Sequence, residues 1–158
     1  MSEIVDWLIE KQELRKNITK LLEQHRILPY TNWENFEILH QKPNSEEEKN
    51  TYKKIRKNVD HKGGVYVYEK DRVTLYVGRG SSLERRIKRH HHESYADSSH
   101  FAKAQRLFFS KNKGRLRVYW REFEDEGSRR GVEGLLIFAL EPLFESFREE
   151  LKKGVAKQ

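Results

Sequence analysis

The sequence predicts an α/β fold in which a small three-stranded antiparallel sheet is flanked by helices and preceded by an N-terminal helical extension. Three observations predict it. Strand-like and helix-like segments follow one another as β, β, α, α, β, α between Gly64 and Leu140, so a hairpin and one later strand share a sheet covered by helices. The chain has 158 residues, the ordinary size of one domain, so a second full domain is not expected. Charged residues make up 36% of it against about 25% in an average soluble protein, and apolar ones only 35%, which implies a thin core under a wet surface.

The elements follow from periodicity and punctuation. Ile4, Trp7, Leu8, Leu14, Ile18, Leu21 and Leu22 recur at helical spacing between charges, giving an amphipathic helix that ends before Pro29. So much apolar surface is expected to pack on something, either the core or a second copy of the chain. An irregular stretch with Pro29 and Pro43 follows, and then Asn44 or Ser45 caps a helix with Glu46, Glu47 and Glu48 first and Lys53, Lys54, Arg56 and Lys57 last. That charge order suits the helix dipole. Gly63 and Gly64 break the pattern. Two β-type runs come next, Val65 to Tyr68 and Val73 to Val77, joined by Glu69 to Arg72 as a hairpin. Ser81 with Glu84 reads as a capping box opening a very basic helix from Ser82 to about His92. Phe101 to Phe109 reads as a helix, and Leu116 to Phe123 alternates like a strand. A helix from Gly127 and Ser128 runs through Leu140 to Pro142, with a polar helical tail to about Lys153. The expected division is a helical extension over 1–60, packed on a core domain over 61–158.

A formal charge of +7 points to a polyanionic partner, of which nucleic acid is the commonest. No apolar run approaches a membrane span, and Met1 to Leu22 is charged throughout, so the expected setting is cytoplasmic with no membrane partner. With no cysteine, any metal must be held by oxygen or histidine nitrogen, which points to a hard cation.

Two polar intrusions into apolar faces mark candidate chemistry. Glu133 interrupts Val132, Leu135, Leu136, Ile137, Phe138, Ala139 and Leu140, and at helical spacing shares a face with Leu136, Ile137 and Leu140. An unpaired carboxylate there costs several kcal/mol, so a cation or a metal is expected beside it. Taken alone, an arginine partner or a surface position near the helix start is the first reading. In the basic helix Leu83 and Ile87 define the buried stripe, His90 falls almost along it, and Arg86 lies at its shoulder. For a lone helix, the ordinary reading of His90 is a hydrogen-bonded core histidine beside the solvated face of Arg85, Lys88 and Arg89. Neighbouring helical residues point about 100° apart, so His90, His91 and His92 cannot jointly hold one zinc ion.

Gly64-Val65-Tyr66, nine residues, and then Tyr76-Val77-Gly78 resembles the signature of the GIY-YIG endonuclease family in its GVY and YVG spelling. The family places an arginine eight residues after the second glycine, matching Arg86, and some members carry a histidine four later, matching His90. It places a glutamate nine residues before a helix-ending proline, matching Glu133 and Pro142. The resemblance runs from about Gly63 to Glu145. Two positions depart from it: Arg79 stands where many members have lysine, and Glu145 where many have asparagine.

The resemblance implies a metal-dependent endonuclease cutting double-stranded DNA, in a restriction-like or structure-specific role, as a monomer or homodimer. Glu133 would hold one Mg²⁺ or Mn²⁺ per site, and Arg86 would clamp the phosphate. The general base would be Tyr66 first, Tyr76 second, or His90, with Arg79, Arg86 and the metal favouring a phenolate. Arg85, Lys88, Arg89 and His91 would contact nucleic acid. The Arg79 and Glu145 departures leave one alternative, a binding module of the same fold with weakened cleavage; a second is an endoribonuclease, since charge and site chemistry would serve either polymer.

Overall fold

The computed structural model describes residues 3–97 and 103–154. Helix α1 (Glu3–Gln24) leads through a 3-10 turn (Tyr30–Asn32) into strand β1 (Glu34–His40) and helix α2 (Ser45–Val59). The hairpin β2 (Gly64–Lys70) and β3 (Val73–Gly80) follows, then α3 (Leu83–Glu93), α4 (Lys103–Lys111), β4 (Gly114–Glu122), α5 (Glu126–Leu140) and α6 (Leu143–Lys152). The first two residues of the helix expected from Phe101, Phe101 and Ala102 themselves, lie outside the described residues.

The four strands form one antiparallel sheet in the order β1-β4-β2-β3. The α/β class and the helix-flanked antiparallel sheet are as expected; the number of strands is not. The fourth strand is β1, which lies in the segment expected to be irregular. Its Phe36, Ile38 and His40 point inward between Glu37 and Leu39, and Phe36 pairs with Val118 of β4. This edge strand carries few apolar residues, and Glu37 on it meets Arg115 at 2.9 Å, a charged edge that discourages pairing with another chain.

Because strand side chains alternate, the sheet feeds two cores. Tyr66, Tyr68, Leu116, Val118 and Trp120 face a cluster with α2, α3, α4 and α6. Val65, Val67 and Tyr119 face the other, with α1 and α5. The starts of α2, α3 and α5 are set by side-chain oxygens. Asn44 and Glu47 make the reciprocal cap of α2, and Asp125 accepts from Ser128 N to start α5 at Glu126. The α3 cap differs from expectation: Ser82 accepts from Arg85 N, while Glu84 is taken by Lys88 and Arg56.

The apolar stripe of α1 is only partly covered. Arg15 Nε donates to the Phe138 carbonyl at 2.9 Å, and Leu22 is 1% exposed, so the C-terminal half of the helix docks along α5. Arg15 already meets the last turn of α5, however, and α1 continues past that end. Ile4 and Trp7 there are 71% and 56% exposed. No helix among the described residues is long and apolar enough to cross a membrane.

Candidate active site

The hairpin places the first tyrosine. Tyr66 on β2 sits opposite Gly78 on β3, and a Cβ at Gly78 would stand 2.5 Å from the Tyr66 hydroxyl. Only glycine lets the phenol ring lie across β3 at that point. Tyr66 is fully buried, and its hydroxyl is 2.6 Å from Nε2 of His90 on α3. Tyr76 is nearly buried as well, and its hydroxyl accepts from Gln105 Nε2 at 2.9 Å.

His90 is a wholly buried, hydrogen-bonded histidine, as its position on the apolar stripe suggests, and both ring nitrogens are engaged. Nδ1 lies 2.7 Å from Oε1 of Glu93, which is also wholly buried. Burial lowers the His90 pKa and outweighs Glu93, which acts in the other direction. A neutral ring that donates from Nδ1 to a carboxylate leaves Nε2 as an acceptor, the role that would suit the Tyr66 hydroxyl. Burial raises the Tyr66 pKa well above the ordinary phenol value, Tyr76 adds to that, and Arg86 opposes it without prevailing. Burial also raises that of Tyr76. Arg86 favours the phenolate, as expected, but loss of hydration exceeds its attraction, so both phenols keep their protons.

Arg86 lies one turn before His90, against the Tyr66 hydroxyl, and the neighbouring phenols and Glu93 strengthen its hold on its proton. It lines a cleft of about 330 Å³ together with Arg79, Gly80, Ser81, Ser82, Arg85 and Glu126. The charged part of the cleft wall is therefore three arginines and one carboxylate, a suitable lining for a phosphate.

Glu133, on α5, does have a cationic partner, and it is one of the departures from the family pattern. Arg79 Nη1 contacts Glu133 Oε1 at 2.8 Å while its Nε reaches Glu126 Oε1 at 2.9 Å. The Glu133 side chain is 19% exposed, and burial raises its pKa despite Arg79, with Arg86 also opposing and Glu145 adding a further small rise. Glu145, on α6, pairs with Arg148 at 2.7 Å. Among the described residues there is no group of three or more metal-ligating side chains. A reluctantly dehydrated hard ion is nevertheless compatible with one carboxylate, because Arg79 engages only Oε1 and leaves Oε2 for coordination.

The remaining basic residues divide. Arg85 is exposed at the cleft, but Lys88 is held by Glu84 at 2.5 Å and lies over the Tyr52 ring. Arg89 Nε lies 3.8 Å from Glu93 Oε2. His91, expected to contact nucleic acid, is corrected: it is 1% exposed, packed between His40, Tyr52 and Tyr95, because α3 is covered on that side by α2 and the end of β1. Glu93, Gln105 and Glu126 are site residues that the sequence reading missed. Glu93 had a signal, its spacing of three from His90 on one helix; the other two had none.

The GIY-YIG catalytic domain matches residues 62–142. Comparison with curated proteins and with solved structures found no match. The matched segment covers more than half of the 158 residues and contains both tyrosines, Arg79, Arg86, His90, Glu93 and Glu133, so the chain belongs to the GIY-YIG family and carries its nuclease domain.

Proposed function

We propose that this protein is a divalent-metal-dependent endonuclease that hydrolyses phosphodiester bonds in double-stranded DNA, in a restriction-like or structure-specific role. The observation that carries the reading is the buried Tyr66 hydroxyl, 2.6 Å from His90 Nε2 and hydrogen-bonded to Arg86, which itself lines a basic cleft. Hydrolysis needs a proton acceptor for the attacking water and positive charge at the phosphorus.

Arg86 binds the scissile phosphate, its planar fork matching two phosphate oxygens. Its movement onto the phosphate uncovers the buried Tyr66 hydroxyl, which takes the water's proton as its own passes to His90 Nε2. This relay spares Tyr66 from forming an isolated phenolate in a dry site. Tyr76, fixed by Gln105, supports the ring of His90 at a centroid distance of 4.9 Å. One Mg²⁺ or Mn²⁺, held at Glu133 with waters and substrate oxygens, supplies charge neutralisation to the phosphate and to the leaving 3′ oxygen when bound. Arg79 fixes the Glu133 carboxylate, and Arg85 at the cleft mouth contacts the nucleic-acid backbone.

The test is digestion of supercoiled plasmid and of labelled duplex DNA and RNA by the purified protein, with and without Mg²⁺. Nicking of DNA that disappears with EDTA and in Glu133→Ala supports the reading. Cleavage of RNA alone favours an endoribonuclease, and DNA binding without cleavage favours a binding module.

A further inference from the structure

The strongest feature outside the family pattern is Glu93. A carboxylate at zero exposure in the middle of an apolar cluster is costly and persists only with partners. Its Oε1 meets His90 Nδ1 at 2.7 Å, and Oε2 has Arg89 Nε at 3.8 Å. Tyr66, His90 and Glu93 thus form one buried chain, with links of 2.6 and 2.7 Å. The order is proton donor, base and orienting acid, the general arrangement in which a carboxylate fixes the tautomer of a catalytic imidazole.

We propose that Glu93 is the positioning residue of the reaction, fixing His90 in its Nδ1-protonated tautomer so that Nε2 faces Tyr66 as a proton acceptor. The inference rests on the nuclease reading above. Without an acceptor at Nδ1, the neutral ring is free to carry its proton on Nε2, where it would face the Tyr66 hydroxyl and close the relay. The Phe109 ring, 4.6 Å from the His90 ring, fixes the plane of the imidazole but is blind to its tautomer, so the choice falls to Glu93. Arg86 and Arg89 both disfavour a charged imidazole, and Tyr66, Tyr68 and Tyr76 surround it with phenols. Glu93 favours the imidazolium formed as the proton arrives.

The experiment combines ¹⁵N NMR of the His90 ring in the full chain with single-turnover cleavage by the wild type and Glu93→Gln. The wild-type ring is expected to carry its proton on Nδ1. In Glu93→Gln the side-chain amide can donate to Nδ1, so the proton moves to Nε2 and the cleavage rate falls about a hundredfold or more, with DNA affinity unchanged. A merely structural role for Glu93 would alter melting but not the tautomer. A wild-type ring protonated on Nε2 overturns the proposal without any variant, and so does a folded Glu93→Gln that cleaves at the wild-type rate. A wild type that cleaves no nucleic acid while its His90 carries the Nδ1 proton overturns the nuclease reading and leaves the control of the tautomer standing.

Discussion

Arg79 Nη1 lies 2.8 Å from Glu133 Oε1, so a protein cation already compensates the carboxylate proposed to hold the metal. Where a lysine would place a point charge, the guanidinium spans two carboxylates, Glu126 and Glu133, and leaves Glu133 Oε2 uncovered. Arg79→Met is expected to lower stability by roughly 1–2 kcal/mol, since both side chains are partly solvated and the stranded carboxylate regains some water. Cleavage should then need more Mg²⁺ for half-maximal rate. Urea melts and a Mg²⁺ titration of nicking check both halves of the prediction.

Glu133→Gln should abolish cleavage, leave duplex binding intact and raise the melting temperature at pH 7. The sign follows from the raised pKa of Glu133: its contribution is fully present below the unfolded carboxylate value and lost as pH rises from there through the higher folded value, so the ionised group weakens the fold at neutral pH. The gain over the wild type should vanish in melts recorded near pH 4. A variant that melts lower than the wild type at pH 7 would mean that Arg79 compensates the charge in full.

Arg86→Lys should not restore function. A phosphate clamp acts mostly where charge accumulates in the transition state, and a lysine offers one point instead of a fork. The single-turnover rate is expected to drop by about 10²–10³, with dissociation constants for duplex DNA little changed. A parallel fall in rate and affinity would reduce Arg86 to a backbone contact.

His40, His90 and His91 are all buried, and burial pushes each pKa below the ordinary imidazole value, His40 furthest. A lowered pKa means that the unfolded chain takes up protons that the folded one refuses. Stability is therefore full above about pH 6.5 and lost as pH falls below it. Neither ring nitrogen of His40 has a hydrogen-bond partner among the described residues, and its ring sits against Tyr68 and Phe109. His40→Phe should leave the melting temperature at pH 7.5 unchanged or higher and reduce its decline toward pH 5.5.

Removal of residues 1–10 should alter neither melting nor nicking, because Glu3 to Glu10 are all exposed. Removal of residues 1–28 should cost on the order of 3 kcal/mol, since it uncovers the contacts of Ile18 and Leu22 with the second core and deletes the Arg15 bond to Phe138. Circular dichroism melts of the two truncations separate the docked half of the helix from the exposed half.

The local features of this protein were readable along the chain. The Gly64-Val65-Tyr66 and Tyr76-Val77-Gly78 pair, the spacings to Arg86, His90 and Glu133, and most helix ends depend on a few residues and a 3.6 or 2 residue repeat, so sequence order alone carries them. The charge on the Glu133 face likewise announced that a partner was required. What only the tertiary structure decided is which surfaces meet and how dry they become. Strand β1 is too polar to announce itself, and it exists because β4, some eighty positions later, offers it a ladder. Arg79 is the partner of Glu133, His91 is interior, and the Glu93–His90 pair, local to α3, is dry because the sheet and α4 close over it. The protonation of Tyr66 belongs to the same class: desolvation and the field of Arg86 both depend on three-dimensional distance, and in the folded protein desolvation exceeds the attraction.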